Sequence, residues 1–403
     1  MAEVVRGYRA LLRLRPARLL AIASVPADFA DWLDYTAIIA LLVFTYDAGP
    51  WAMAFFAFSL VTPAIIVGPA LAVYVDKWPL KRVLVLSNLG RALTTAFLIL
   101  TPPPVFVIAA AFLRGTVDSA FNPARQAAIQ ATTPKELLGE ANGLHQAINQ
   151  VSKIAGPTLG GLLLVFLTPQ LVFGINTVMS LIAVAILTIT PVARAVGGLD
   201  VPESFRTRLF AGLAEFRAKA ELRQALIFAA VAFFAFFLYD ALIALLIDDL
   251  GMDAGLFGIA VATAGAGGLI GGLVGGRLSF LRPLRVMVGA ALVSAIVTIG
   301  LASLVLYGFA VPPPLFLAAM LVMGGSTSFM MIPYRVLIQR DVEPSRVGRV
   351  VATGESVITA VMVGAPFLGA LIASIWGVPA AFLAGGLVLL ALALVSVARR
   401  RGT

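Results

Sequence analysis

Apolar residues run along this chain in blocks of about 20 to 28 positions, each closed by a short polar break. A bilayer core of roughly 30 Å takes about 20 helical residues at about 1.5 Å each, so every block has the length of one crossing. The blocks lie at 19–46, 51–75, 83–101, 105–124, 139–167, 170–192, 223–249, 254–276, 286–308, 314–334, 348–376 and 378–397. The pattern predicts an all-α polytopic membrane protein with twelve transmembrane helices. A soluble bundle would need more polar surface than the chain owns. It is 61% hydrophobic and 12% charged, where a soluble domain is about 25% charged. The start, "MAEVVRGYRALLRLRPARLLAIASVPA", has the basic-then-apolar order of a signal peptide. The apolar helix continues past any cleavage point, so it is read as the first crossing.

That crossing contains an anomaly. "DFADWLDY" at 28–35 sets Asp28, Asp31 and Asp34 inside it. At about 100° per residue, steps of three keep all three on one face, within about 120°.

The net charge of +9 is placed unevenly. All but three of the 29 Lys and Arg residues fall in the two tails or in alternate connections. Arg91, Arg114 and Lys153 lie inside crossings. The positive-inside rule then puts both termini in the cytoplasm, which suits a bacterial inner (cytoplasmic) membrane. The basic excess reads as topology and contact with membrane lipid headgroups, and no nucleic acid is expected as a partner. With no cysteine and one histidine, His145, disulfides and thiolate metal sites are excluded. Neither a phosphate-binding G-x-x-x-x-G-K-[ST] loop nor an H-E-x-x-H motif is present. No metal, cofactor or enzymatic chemistry is expected.

The chain repeats itself. "TPPPVF" at 101–106 returns as "VPPPLF" at 311–316, and Pro123-Ala124-Arg125 returns as Pro333-Tyr334-Arg335. "GPTLGGLL" at 156–163 meets "APFLGALI" at 365–372, and "WPLKRV" at 78–83 meets "RPLRVM" at 282–287. The offsets stay between 204 and 210 residues and keep their order. Two homologous halves follow: residues 1–192 and 223–403, each a six-helix bundle, related by pseudo-symmetry. Residues 193–222 form a cytoplasmic linker, whose second part is expected as an amphipathic helix lying on the leaflet. Parallel six-helix repeats are a transporter architecture with the substrate near the midplane.

Several motifs resemble those of the major facilitator superfamily. The loop "AVYVDKWPLKRVLVLSN" is similar to its G-x-x-x-D-R-x-G-R-R-like loop, with Asp76 as the acid and Lys77, Lys81 and Arg82 as the basic cluster. Ala72 and Pro79 replace two of its glycines. The resemblance implies that Asp76 and this cluster gate the cytoplasmic side. "SKIAGPTLGGLL" resembles the antiporter-associated G-x-x-x-G-P-x-x-G-G motif through Gly156, Pro157, Gly160 and Gly161, with Ser152 at the first glycine. Arg114 stands where the family often has an embedded arginine. "FNPARQAAI" and "LLGEANGL" point to the subgroup of enterobactin exporters and macrolide efflux proteins, with lysophospholipid transporters next. The implied fold is the major facilitator fold. In the eighth crossing, Gly267, Gly271 and Gly275, and Gly268, Gly272 and Gly276, make small-x-x-x-small rows suited to close helix approach.

A lone ion at mid-bilayer costs on the order of 2.5–3.5 kcal/mol. The embedded ions therefore pair, face water or take up protons. The family places the first and fourth helices on the cavity, which makes Asp31 or Asp34 with Arg114 or Lys153 the expected network. Asp118, one turn from Arg114, is expected to pair with it along the helix. Asp28 is expected near the headgroups, and Arg91 is expected to snorkel to the cytoplasmic side. His145 is read as a hydrogen-bonded helix residue. Asp240 matches Asp34 in the second half, and Glu355 matches His145 or Gln146, both acids without an evident embedded base.

The reading is a proton-coupled antiporter that exports an amphipathic small molecule by alternating access, working as a monomer. Its proton-coupling and cavity residues are Asp31, Asp34, Arg114, Asp118, Lys153, Asp240 and Glu355. One alternative is a transporter of a lipid-like substrate without obligatory proton coupling, and another is a non-transporting receptor.

Overall fold

The computed structural model describes residues 7–68, 71, 78–192, 205–279 and 283–401. Every regular element among them is a helix. The chain divides into two compact units, residues 1–47 with 58–198 and residues 48–57 with 199–403.

The first unit carries α1 (Tyr8–Arg13), α2 (Arg15–Ala40), most of α3 (Pro50–Ile66), α4 (Leu80–Leu98), α5 (Pro104–Thr132), α6 (Leu138–Phe166) and α7 (Pro169–Ile189). Proline sits in the first turn of α2, α5 and α7, where its fixed φ suits a helix start and its missing N–H is not needed. α2 packs on α6 and α7, and α4 packs on α5 and α7. Leu20, Ala27, Leu84, Phe121, Ala128 and Leu187 belong to the apolar core that holds these helices.

The second unit carries α8 (Phe205–Ala218), α9 (Ala220–Phe237), α10 (Ile243–Asp249), α11 (Ala254–Ser279), α12 (Pro283–Leu306), α13 (Pro313–Asp341), α14 (Pro344–Trp376) and α15 (Val378–Arg401). Here α9 packs on α14 and α15, and α12 packs on α13 and α15. The sequence repeat thus returns as a repeat of seams, with the same order of partners in each unit. Pro123 of α5 and Pro333 of α13 both lie inside their helices, as do Pro157 of α6 and Pro366 of α14. α14 ends at Gly377, whose φ of 86° is the left-handed conformation glycine adopts without a Cβ clash.

Eight helical segments among the described residues are long and apolar enough to cross a membrane, and Pro50–Ile66 is a shorter apolar one. α2, α4 and α6, with 26, 19 and 29 residues, have the length but carry ions along it.

Three expectations are corrected. Helices expected to stop at residues 124 and 334 run on to Thr132 and Asp341. Charge was taken to end a crossing, yet a helix runs past its first arginine when a neighbouring helix supplies the counter-ion. The segment expected as one helix at 223–249 is broken after Phe237 by a 3-10 turn, Asp240–Leu242. The linker helix α8 docks on the protein's own α14. Phe216 is buried in the second unit's core with Tyr334 and Val350, and Arg346 bonds Glu215 at 2.6 Å.

Candidate functional site

The acids of α2 organise a buried polar set in the first unit. Asp28 and Asp34 are each 1% exposed. Asp28 is held by Arg125 of α5 at 2.5 Å, and that guanidinium also donates to Asn122 at 3.1 Å. Asp34 is held by Arg114, also of α5, and accepts from Thr95 of α4 at 2.8 Å. Arg114 donates in addition to the Ala30 carbonyl at 2.6 Å, which Asn176 of α7 shares at 2.9 Å. Asp31 lies between these two pairs. Its Oδ1 is 3.1 Å from Arg91 of α4 and 3.5 Å from Arg114. Arg91 also holds Asp118 of α5 and lies 4.2 Å from the centroid of the Phe121 ring. Five ion pairs therefore link four carboxylates to three guanidiniums.

Within this set, the partly open members are Asp31 and Asp118, with side chains 22% and 27% exposed. Toward the start of α2, Ser24 shares a 3.1 Å hydrogen bond with Nδ1 of His145, as expected of a hydrogen-bonded helix residue. Lys153 of α6 lies against α2 from the other side, its ammonium 5.9 Å from the Trp32 ring centroid.

Sequence reasoning placed some of these residues differently. Asp118 takes Arg91 across the α4–α5 seam and not Arg114, which reaches toward α2. Arg91 does not snorkel: it is buried between two acids, and burial is favourable because both supply charge-assisted bonds. Asp28 is sealed in the helix interior and not at a headgroup level. Arg125 was missed because it was counted with a connection. Its signal was the repeated Pro-x-Arg at 123–125 and 333–335, where an arginine one turn beyond a helix proline returns in both halves.

The Major Facilitator Superfamily profile matches residues 20–359. The chain belongs to the major facilitator superfamily. The MFS-type transporter YfiS of Bacillus subtilis is 27% identical over 94% of this chain and 91% of its own. Macrolide efflux protein A of Streptococcus pyogenes is 25% identical over 83% of each. Two solved structures share the fold. A bacterial homologue of the human lysosomal transporter Spinster, inward-facing and occupied, has a TM-score of 0.70 at 14% identity over 96% of each chain. The nucleoside transporter NupG has a TM-score of 0.66 at 15% identity over 95% of this chain and 98% of its own. This major facilitator protein is thus a membrane transporter and not an enzyme.

The superfamily's motifs can be placed on the helices. Gly156 and Gly160 lay the backbone of α6 against the acid-bearing turn of α2. A Cβ on Gly156 would lie 2.5 Å from that of Trp32, and one on Gly160 would lie 2.8 Å from the Leu33 carbonyl oxygen. Pro157 sits between them, and Gly161 is buried on the same helix. The antiporter-type motif therefore fixes the spacing of α6 from the ion set. Lys81 and Arg82 line a cavity of about 710 Å³ with Leu80, Val85, Thr188 and Val192. Asp76 and Lys77 lie outside the described residues. In the second unit, Gly267 and Gly271 face the backbone of Leu321 and Gly325 on α13, whereas Gly268 and Gly272 have looser neighbours. Asp240, half-buried, opens the 3-10 turn between α9 and α10. Glu355 of α14 has a base after all: Arg335 of α13 bonds it at 3.2 Å. That base was hidden for the same reason as Arg125, since α13 continues past the expected end of its crossing.

Proposed function

We propose that this transporter exports an amphipathic small molecule in exchange for protons, by alternating access, from the bacterial inner membrane. In this reading it has twelve crossings, arranged as two six-helix bundles at residues 1–192 and 223–403, with both termini cytoplasmic. The observation that carries the reading is the ion set on α2. Arginine keeps its charge in any protein environment, so the set holds three fixed positive charges against four titratable acids. One proton balances it. Asp31 is the acid that exchanges that proton, because it is shared by two arginines and partly open. Asp34 fixes Arg114, and Asp118 with Arg91 tunes Asp31. Lys153, Asp240 and Glu355 complete the substrate path, and Asp76, Lys77, Lys81 and Arg82 gate its cytoplasmic side. The macrolide efflux relatives support export of a large, partly apolar molecule.

The test uses proteoliposomes loaded with a pH-sensitive dye. A macrolide added against a pH gradient is expected to move protons through the wild type and not through Asp31→Asn. Macrolide flux in the wild type that is independent of the gradient would sink the coupling.

A further inference from the structure

The helices that flank the ion set carry a second polar feature, which the pairing of charges does not use. Gln126 and Gln130 lie one turn apart on α5 and are exposed. Gln146 is exposed on α6, with Asn149 and Gln150 half-buried beside it. None of these five amides makes a hydrogen bond among the described residues. At about 1.5 Å per residue, each i,i+4 pair spans about 6 Å along its helix.

These rows do not face lipid. An amide in hydrocarbon without a partner is strongly disfavoured, and the lipid-type surface of the same unit is built differently. α7 shows Leu171, Val178 and Ile182 outward, and α4 shows Leu86 and Leu93. The amide rows therefore border water. They also lead to the ion set. Asp118, two turns before Gln126 on α5, is joined through Arg91 to Asp31 of α2. Lys153, one turn beyond Asn149 on α6, lies over Trp32 of α2.

We propose that this face recognises a neutral, hydroxyl-rich group, such as a sugar, on the transported molecule. A carboxamide has two donor hydrogens and an acceptor oxygen and no charge. Hydroxyls match it by giving and taking hydrogen bonds at one atom, whereas an ammonium offers donors only and a carboxylate acceptors only. Two amides one turn apart on each of two helices can grip a polyol at several points, while Trp32 and the half-buried Tyr35 of α2 offer apolar contact to the rest of the molecule. This assignment rests on the transporter reading above, and it names the chemistry of the cargo.

The absence of native cysteine makes the test direct. Gln126→Cys and Asn149→Cys are placed singly in the full chain, in lipid nanodiscs, with Lys135→Cys on the exposed 133–137 connection as the reference. A charged maleimide should label both sites at rates near the reference. 4-Methylumbelliferyl β-glucoside should slow labelling at both sites at least threefold, whereas 4-methylumbelliferone should not. The pair Gln146→Ala with Asn149→Ala should weaken glucoside binding about tenfold, the loss of one to two hydrogen bonds, and leave the aglycone unchanged. Sites that fail to label, or label without protection, overturn the assignment, as does equal affinity for glucoside and aglycone. The readout is independent of proton flux. Protection without proton movement would remove the coupling and leave the amide face standing.

Discussion

Arg91→Met is the most informative perturbation of the ion set. Arg91 is 1% exposed, lies 3.1 Å from Asp31, also holds Asp118, and covers the Phe121 ring. Removing one partner of a buried ion pair costs about 3–5 kcal/mol, because the remaining charge is left uncompensated. Two features reduce that figure here. Asp31 keeps Arg114 at 3.5 Å, and Asp118 is 27% exposed and can take up a proton or water. The expected loss is therefore about 2–4 kcal/mol. In a unit of this size about 1 kcal/mol shifts the melting temperature by about 2–4 °C, which gives a fall of roughly 5–15 °C. The assay is tryptophan-fluorescence melting of the purified protein in one detergent at fixed concentration. Arg91→Met with Asp118→Asn should recover at least about 1 kcal/mol, since neighbours in one network are not additive. A single variant that melts within about 2 °C of the wild type would refute the reasoning. That is the result expected of an arginine whose charge reaches the headgroups.

Four further outcomes follow from the same geometry. Arg125→Met should destabilise by about 3–5 kcal/mol, because Asp28 is sealed at 1% exposure with Arg125 as its ion partner; Asp28→Asn in the same chain should restore part of the melting temperature. Gly156→Ala should cost about 1–3 kcal/mol through overpacking and slow transport, since its Cβ would lie 2.5 Å from that of Trp32; Gly174→Ala, with open space around it, should melt as the wild type does. Phe216→Ala should cost about 3–5 kcal/mol, because α8 packs this ring into the second unit's core; a helix resting on lipid would show no such loss. Arg335→Gln should leave the melting temperature nearly unchanged, since its pair with Glu355 is solvent-exposed.

The helical class, the places of most helices and the repeat were legible in the sequence, because each depends on quantities that add along the chain. Hydropathy over about 20 residues decides whether a segment leaves water. Proline and glycine punctuate helices through backbone geometry that needs no neighbour. The offset near 209 survives in the structure as equivalent seams, α2–α6 with α9–α14 and α4–α5 with α12–α13. The three aspartates of α2 were also legible, since three acids in an apolar run require partners.

Only the tertiary structure assigned those partners. Asp118 chose Arg91 over the arginine on its own helix, Asp28 was sealed by an arginine counted with a loop, and Glu355 found Arg335. The physical reason is the same each time. A charge in a low-dielectric interior is stabilised by whichever counter-ion lies within about 4 Å, and that distance is set by helix packing across 20 to 100 residues of sequence. The chain's pattern states that embedded ions must be compensated. Which ion meets which is decided where Gly156 and Gly160 let α6 close on α2, and where α4 and α5 bring their arginines to its face.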